Sequence, residues 1–157
     1  MKIRDLPASE ATRLIPLLQD LHALHVDHHP ERYRASPTDA ELSSWLEAWL
    51  REKSITALIA ESPQGALLGY TLFEIETRPA LPVKLAETRL IVHHIAVSQA
   101  FRRMGVGLAL LNEVKRQASI QAITTIATTY APFNTASARL FQSIGLKPVM
   151  TMAEWRA

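Results

Sequence analysis

The chain of 157 residues has the bulk of one ordinary domain and is long enough to bury a full core. Its 48% apolar and 20% charged residues exclude a disordered or collagen-like chain, and the absence of cysteine excludes disulfide scaffolds, thiolate nucleophiles and Cys-ligated zinc. Lys+Arg 17 against Asp+Glu 15 leaves +2, too small an excess to signal a nucleic-acid-binding surface but compatible with one local anionic partner.

In chain order, Met1–Glu10 is charged and has no apolar run ahead of a small-residue cleavage site, and no later stretch reaches the ~20 apolar residues of a membrane span. A cytoplasmic protein without membrane contact is the expectation. Met1–Leu6 reads as a strand. Ser9 can cap a helix to about His25, with Leu14, Leu17, Leu18, Leu21 and Leu24 on one face and Pro16 expected to kink it or delay its start. A Pro-bearing polar stretch, Asp27–Pro37, leads to the clearest helix, Asp39–Arg51, with Thr38 and Glu41 as a capping box. Its stripe of Leu42, Trp45, Leu46, Trp49 and Leu50 assigns both tryptophans to the core.

Strand patterns follow at Ile55–Glu61 and Leu67–Glu76, joined as a hairpin by the turn Ser62–Gly65. After a loop with Pro79 and Pro82 comes a strand at Arg89–Val97. Gly105 and Gly107 then open a helix to about Ala118, and Ala122–Thr129 is a strand almost free of charge, expected to be internal. Asn134–Ile144 is a helix closed by Gly145, and Pro148–Trp155 is read as a last strand. This order predicts one α/β domain, 1–157, with a mixed sheet and a βαβ unit formed by 89–97, 107–118 and 122–129.

The segment Val97–Gly107 joins a strand end to a helix start through two arginines and two glycines. Such a start is an anion site, because unpaired first-turn N–H groups, approached through glycine, can cradle a pyrophosphate while Arg102 and Arg103 add charge. The plain alternative is an ordinary helix start with basic flanks. A dinucleotide site fits poorly: the third small residue of that motif and an acid after the strand at 122–129 are both missing, and no Gly-Lys-Ser/Thr triplet marks a Walker loop.

The run Arg102-Arg103-Met104-Gly105-Val106-Gly107, after Ile95-Ala96-Val97, resembles the acyl-CoA pyrophosphate motif of the GNAT N-acetyltransferase superfamily. A later family pattern, Asn with a small residue three on, an aromatic seven on and Gly eleven on, is matched by Asn134, Ser137, Phe141 and Gly145. The resemblance follows the element order of the whole chain but is specific only over about 91–146. It implies a GNAT fold with helices on both faces of the mixed sheet and a gap where 91–97 and 122–129 splay apart. Acetyl-CoA would lie in that gap, its pantetheine along Ile95, Ala96 and Val97 and beside Asn134, its pyrophosphate on Arg102–Leu108, with Ser137 and Phe141 completing the cofactor side. The implied reaction is direct acetyl transfer to a primary amine of a small molecule or peptide.

Amine acylation needs a neutral nucleophile and a stabilised oxyanion. A main-chain N–H near Ile95–Val97 serves the second need. For the first, the strand offers His93 and His94, and side-chain alternation turns one of them to the cleft and the other away. The family commonly places its acid or histidine at the position of His93, which is the preferred base, with His94 second; two histidines merely packed beside the core are the competing reading. The chain departs from the family at Phe141, where a tyrosine usually protonates the leaving thiolate. Either the thiolate leaves unassisted, or water or another group such as Tyr130 serves, or catalysis is weak; packing at a strand end is the plainer reading of Tyr130. The alternative function is a non-catalytic or weakly active acyl-CoA-binding regulatory protein, favoured by Phe141 and opposed by His93.

His22, His25, His28 and His29 form a second cluster. Its spacing admits zinc, but with neither cysteine nor a His-Glu-x-x-His motif the expectation is no metal. By the same resemblance His25, His28 and Tyr33 could line the acceptor pocket, with Tyr130 also a candidate there and solvated helix-end histidines as the alternative. Few residues follow Gly145, so a sheet edge is left needing cover, and a homodimer is expected to shield it. The charge surplus lies in Ser98–Ile120, where Arg102, Arg103, Lys115 and Arg116 face Glu113 alone.

Overall fold

Alternating apolar residues build an antiparallel meander from β1 (Lys2–Asp5), β2 (Ile55–Glu61), β3 (Leu67–Arg78) and β4 (Glu87–Val97), and β5 (Thr125–Thr128) joins β4 in parallel. The structure, a computed structural model, describes residues 1–157. The expected hairpin is present, with Ile55 opposite Glu74. Gly65 (φ +82°) closes its turn, while Ser62 Oγ accepts the N–H groups of Gln64 and Ala66.

Pro16 delays the first α-helix as expected. Ala8–Leu14 is a 3-10 stretch, and α1 (Ile15–His28) begins with the proline in its first turn, where a missing N–H costs nothing. Ser9 is not a cap, because the 3-10 stretch already contains it and Pro7 takes the capping position. α2 (Asp39–Leu50) carries the predicted capping box: Glu41 N–H donates to Thr38 Oγ1 at 3.1 Å and Thr38 N–H to Glu41 Oε2 at 2.8 Å. α3 (Val106–Ile120) is the crossover of the βαβ unit. α4 (Thr135–Ser143) ends in a Schellman turn in which Gly145 adopts φ +97° and Leu146 N–H reaches Phe141 O at 3.1 Å.

Helices cover both faces of the sheet. On one side Phe73, Leu90 and Val92 pack with Leu110, Leu111 and Val114 of α3 and Phe141 of α4. On the other, Ile59, Tyr70 and Leu72 meet Leu14, Leu17 and Leu18 and, from α2, Leu46. No helix is long and apolar enough to cross a membrane.

Three expectations are corrected. No strand forms at 148–155: residues 147–157 are exposed and lie against the connection between α1 and α2, where Glu154 pairs with Arg32 and Arg156 donates to Glu31 O at 3.3 Å. β5 is therefore an edge strand, not an internal one. Its lack of charge reflects half-burial along its whole length rather than pairing on both sides. On α2 only Leu46 is buried; Trp45 is 49% exposed, so the apolar stripe extends past the core onto the functional face described next.

Candidate functional site

The outer edge of β4 changes character at Val92. β5 pairs only with Arg89–Val92, and Thr128 Oγ1 donates to Val92 O at 2.9 Å at the last rung. From His93 to Val97 the strand keeps β3 on one side and has no strand on the other, which is the expected splay. Ser98 N–H donates to Leu68 O at 2.9 Å across β3. Alternation therefore turns the N–H groups of Ile95 and Val97 away from β3, into the gap, while Ala96 packs toward α1 and α2. The gap thus has the donors and acceptors of a strand edge without a partner strand.

At the end of this edge the chain turns through Arg102–Gly105 into α3. Arg103 (φ +62°) and Gly105 (φ +82°) are left-handed, and no side chain caps the helix. The first main-chain bond of the helix is Ala109 N–H to Gly105 O, so Val106, Gly107 and Leu108 present unengaged N–H groups. A Cβ on Gly107 would lie 3.0 Å from a Leu140 methyl carbon, so its small size lets α3 close on α4. Arg102, Arg103 and Met104 are exposed beside this turn, and Arg102 Nε donates to Val97 O at 3.3 Å. The positive surplus is narrower than the sequence suggested. Arg116 is held by Glu113 at 2.6 Å and Lys115 donates to Ile144 O at 3.3 Å, both far along α3, leaving Arg102 and Arg103 beside its uncapped start.

The two histidines do not divide between faces as alternation requires. Register runs Leu72 to His94 and then Phe73 to Val92, so His93 is the extra residue of a β-bulge. Both rings consequently meet Trp49 on the α1/α2 face, at centroid distances of 5.2 Å for His93 and 5.4 Å for His94. The His93 side chain is 30% exposed and its Nε2 lies 2.8 Å from Glu74 Oε2 of β3. His94 is largely buried between Trp49 and Tyr70, and neither its Nδ1 nor the Tyr70 hydroxyl has a protein partner.

Desolvation pushes the His94 pKa down to about 4, reinforced by His93 and His25, so it is neutral near pH 7. Burial likewise pushes the Tyr70 phenol up. The stability consequence has a definite sign. Between about pH 4 and the unfolded value of 6.5 the unfolded chain holds the extra proton. Stability is therefore full above pH 6.5 and falls by up to roughly 3 kcal/mol as pH drops through that window. Urea midpoints of the wild type should fall more between pH 7.5 and 4.5 than those of His94→Leu, and equal losses would refute this account.

Trp45 and Trp49, 5.3 Å apart, cover these histidines and with Ala48 and Glu52 line an open groove of about 250 Å³. The sequence reading missed this role because an apolar stripe looks the same over a core and over a site. It also missed Glu74. The available signal was that this face of β3 passes from Tyr70 and Leu72 to Glu74, a carboxylate where the apolar pattern predicts burial.

The histidine cluster at the end of α1 packs on Tyr33 and Phe133. His28 stacks on Phe133 at 3.8 Å, His25 meets Tyr33 and Phe133 edge-on, and His22 Nε2 lies 2.6 Å from Arg34 O. Phe133 immediately precedes Asn134, so the wall from α1 reaches the loop entering α4. His25 and His28 are occupied through Nδ1 by the carbonyls of Leu21 and Leu24, and no group of three or more His, Asp or Glu converges on a metal position. Asn134 Oδ1 caps α4 by accepting Ser137 N–H at 3.1 Å. Phe141 is 3% exposed, within the core, and stacks in parallel on Tyr130 at 6.0 Å. Its ring is therefore a packing element that backs Tyr130.

A family model described as the acetyltransferase (GNAT) family matches residues 18–146. L-2,4-diaminobutyric acid acetyltransferase of Streptomyces anulatus is 34% identical over 96 residues, which are 60% of this chain and 51% of that protein. The chain thus aligns with about half the length of the curated relatives it matches. Among solved structures, a tetramutant of the BH1408 protein from Bacillus halodurans superposes with a TM-score of 0.93 at 18% identity, covering 100% of both chains. AAC(6')-Iy in complex with the bisubstrate analogue CoA-S-monomethyl-acetylneamine gives 0.74 at 20% identity, covering 99% of this chain and 97% of that one.

Proposed function

Because the chain belongs to the GNAT acetyltransferase family, we propose that it moves an acetyl group from acetyl-CoA directly to a primary amine of a small molecule. The observation that carries this reading is the β4 edge, open from His93 to Val97 and running into the uncapped start of α3. Residues present along it fit the donor. The N–H groups of Val106, Gly107 and Leu108, with Arg102 and Arg103, suit a pyrophosphate; Ile95 and Val97 offer strand-edge hydrogen bonds, and Asn134 adds an amide from the far wall. The donor supplies an activated acetyl thioester.

The chain's own residues do the rest. His93 takes a proton from the acceptor nitrogen, a main-chain N–H of Ile95 or Val97 faces the developing oxyanion, and the Trp49 ring shields the imidazole from water on one side. In balance an N–C bond replaces the S–C bond, and the proton lost by nitrogen leaves with the thiol. Tyr130, backed by Phe141, is the side chain proposed to deliver that proton. No metal takes part in this reading. The acceptor wall of His25, His28, Tyr33 and Phe133, together with the likeness to diaminobutyric acid acetyltransferases, favours a small amine over a large peptide.

Thiol release from acetyl-CoA with L-2,4-diaminobutyrate, neamine and a short peptide tests the proposal. Turnover is expected with at least one small amine. Tight CoA binding without thiol release from any would replace the enzyme with a non-catalytic acyl-CoA-binding protein, a reading favoured by the buried Phe141 where the family carries a phenol. The proposal includes a homodimer, supported by the unpaired edge of β5 and by Val149, Met150, Met152 and Trp155, each at least 80% exposed. Light scattering at micromolar concentration should report twice the chain mass, and a monomer would remove this part.

A further inference from the structure

We propose that Glu74 is a positioning residue for His93, holding its ring with the proton on Nε2 so that Nδ1 becomes the atom that takes the acceptor's proton. The proposal rests on the acetyltransferase reading and deepens it. An ionised carboxylate only accepts, so at 2.8 Å from Glu74 Oε2 the neutral imidazole of His93 must donate through Nε2. Its one remaining lone pair is then on Nδ1, which has no partner within the protein. The bulge that makes His93 the extra residue of β4 frees its side chain from cross-strand alternation, and the T-shaped contact with Trp49 restrains the plane of the ring.

The surrounding charges leave this pair to itself. On the same face of β3 the next acid, Glu76, is engaged by Arg78 at 2.9 Å and Arg89 at 2.7 Å, whereas Glu74 has no partner but His93. The other titratable groups packed around the pair are His94 on β4, kept neutral by burial, Glu52 beside Trp49 on α2, and His25 of α1. None of them offers Glu74 a fixed positive charge. As the N–C bond forms and the C–S bond breaks, one proton passes from nitrogen to Nδ1, and the resulting imidazolium is stabilised by the facing carboxylate until it returns that proton to Tyr130, whose own hydroxyl proton has gone to the thiolate. Removing the carboxylate removes both the tautomer control and that stabilisation.

Two readouts on the full-length protein test this. In NMR the His93 ring nitrogen signals, identified by their loss in His93→Ala, should show the proton on Nε2 in the wild type and a mixture of the two tautomers in Glu74→Gln, with Glu74→Asp recovering part of the difference. With the amine that the wild type turns over, Glu74→Gln should lose about tenfold in kcat while the KM for acetyl-CoA stays within about twofold. The double variant Glu74→Gln/His93→Ala should be no slower than His93→Ala. A His93 tautomer unchanged in Glu74→Gln, or rate losses that multiply in the double variant, would overturn the proposal. A wild type without turnover on any amine instead overturns the acetyltransferase reading, and with it the role of Nδ1.

Discussion

Replacing His93 with alanine is expected to lower kcat about 100- to 1,000-fold while leaving CoA affinity within about threefold, because general-base assistance contributes on that scale and the ring forms no part of the phosphate cradle. The position argues for the size of the effect. His93 lies where β5 stops pairing with β4, so it stands at the inner end of the gap rather than along its wall. Its ring is partly exposed and hydrogen-bonded to a carboxylate, whereas His94 is buried, unpaired and shifted down to about 4, which makes His94 a weak base at neutral pH. His94→Ala should therefore cost stability more than turnover. Stopped-flow or steady-state thiol release, paired with CoA titration calorimetry, separates the two outcomes. If His93→Ala retained turnover within a few fold, the base would have to lie elsewhere.

The second large effect concerns the anion site. Reversing both charges with Arg102→Glu/Arg103→Glu should weaken CoA binding about 100-fold, since hydrogen bonds from charged groups contribute roughly 1.5–3 kcal/mol each and reversal adds repulsion. Added salt should weaken wild-type binding but leave the variant's residual affinity unchanged or raise it, because in the variant salt screens a repulsion instead of an attraction. Arg116→Ala is the matched comparison. It removes a charge from the same helix, but one held by Glu113 and remote from the turn, so CoA affinity should stay within about twofold. Calorimetry at low and high ionic strength measures all three proteins. Equal losses in the double variant and in Arg116→Ala would mean that net charge, not the turn, attracts the anion.

Much of the fold was legible because short-range rules decide it. The capping box of Thr38 and Glu41, the Gly145 stop and the Ser62–Gly65 hairpin each follow from local hydrogen bonds that any context leaves intact. Pro16 was legible in its effect, a delayed α1, but Ser9 was not, because whether a hydroxyl caps depends on where the first turn begins. The strand read at 148–155 failed for a long-range reason. A strand needs a partner edge, and this segment instead follows the α4 turn toward Arg32.

At the candidate site the same division appears. Gly105, Gly107, Arg102 and Arg103 were readable as an uncapped basic helix start because such a start is built from consecutive residues. The sequence by itself determined the mixed α/β architecture, the open glycine turn into α3 and the presence of two adjacent histidines on β4, since periodicity, caps and turn residues are properties of neighbours in the chain. Only the tertiary structure decided that a bulge against Phe73 puts both histidines on one face, that Glu74 of β3 faces one of them and Trp49 of α2 faces both, and that Lys115 and Arg116 lie away from the start of α3. Those facts depend on strand register and helix packing, which residues remote in sequence settle together.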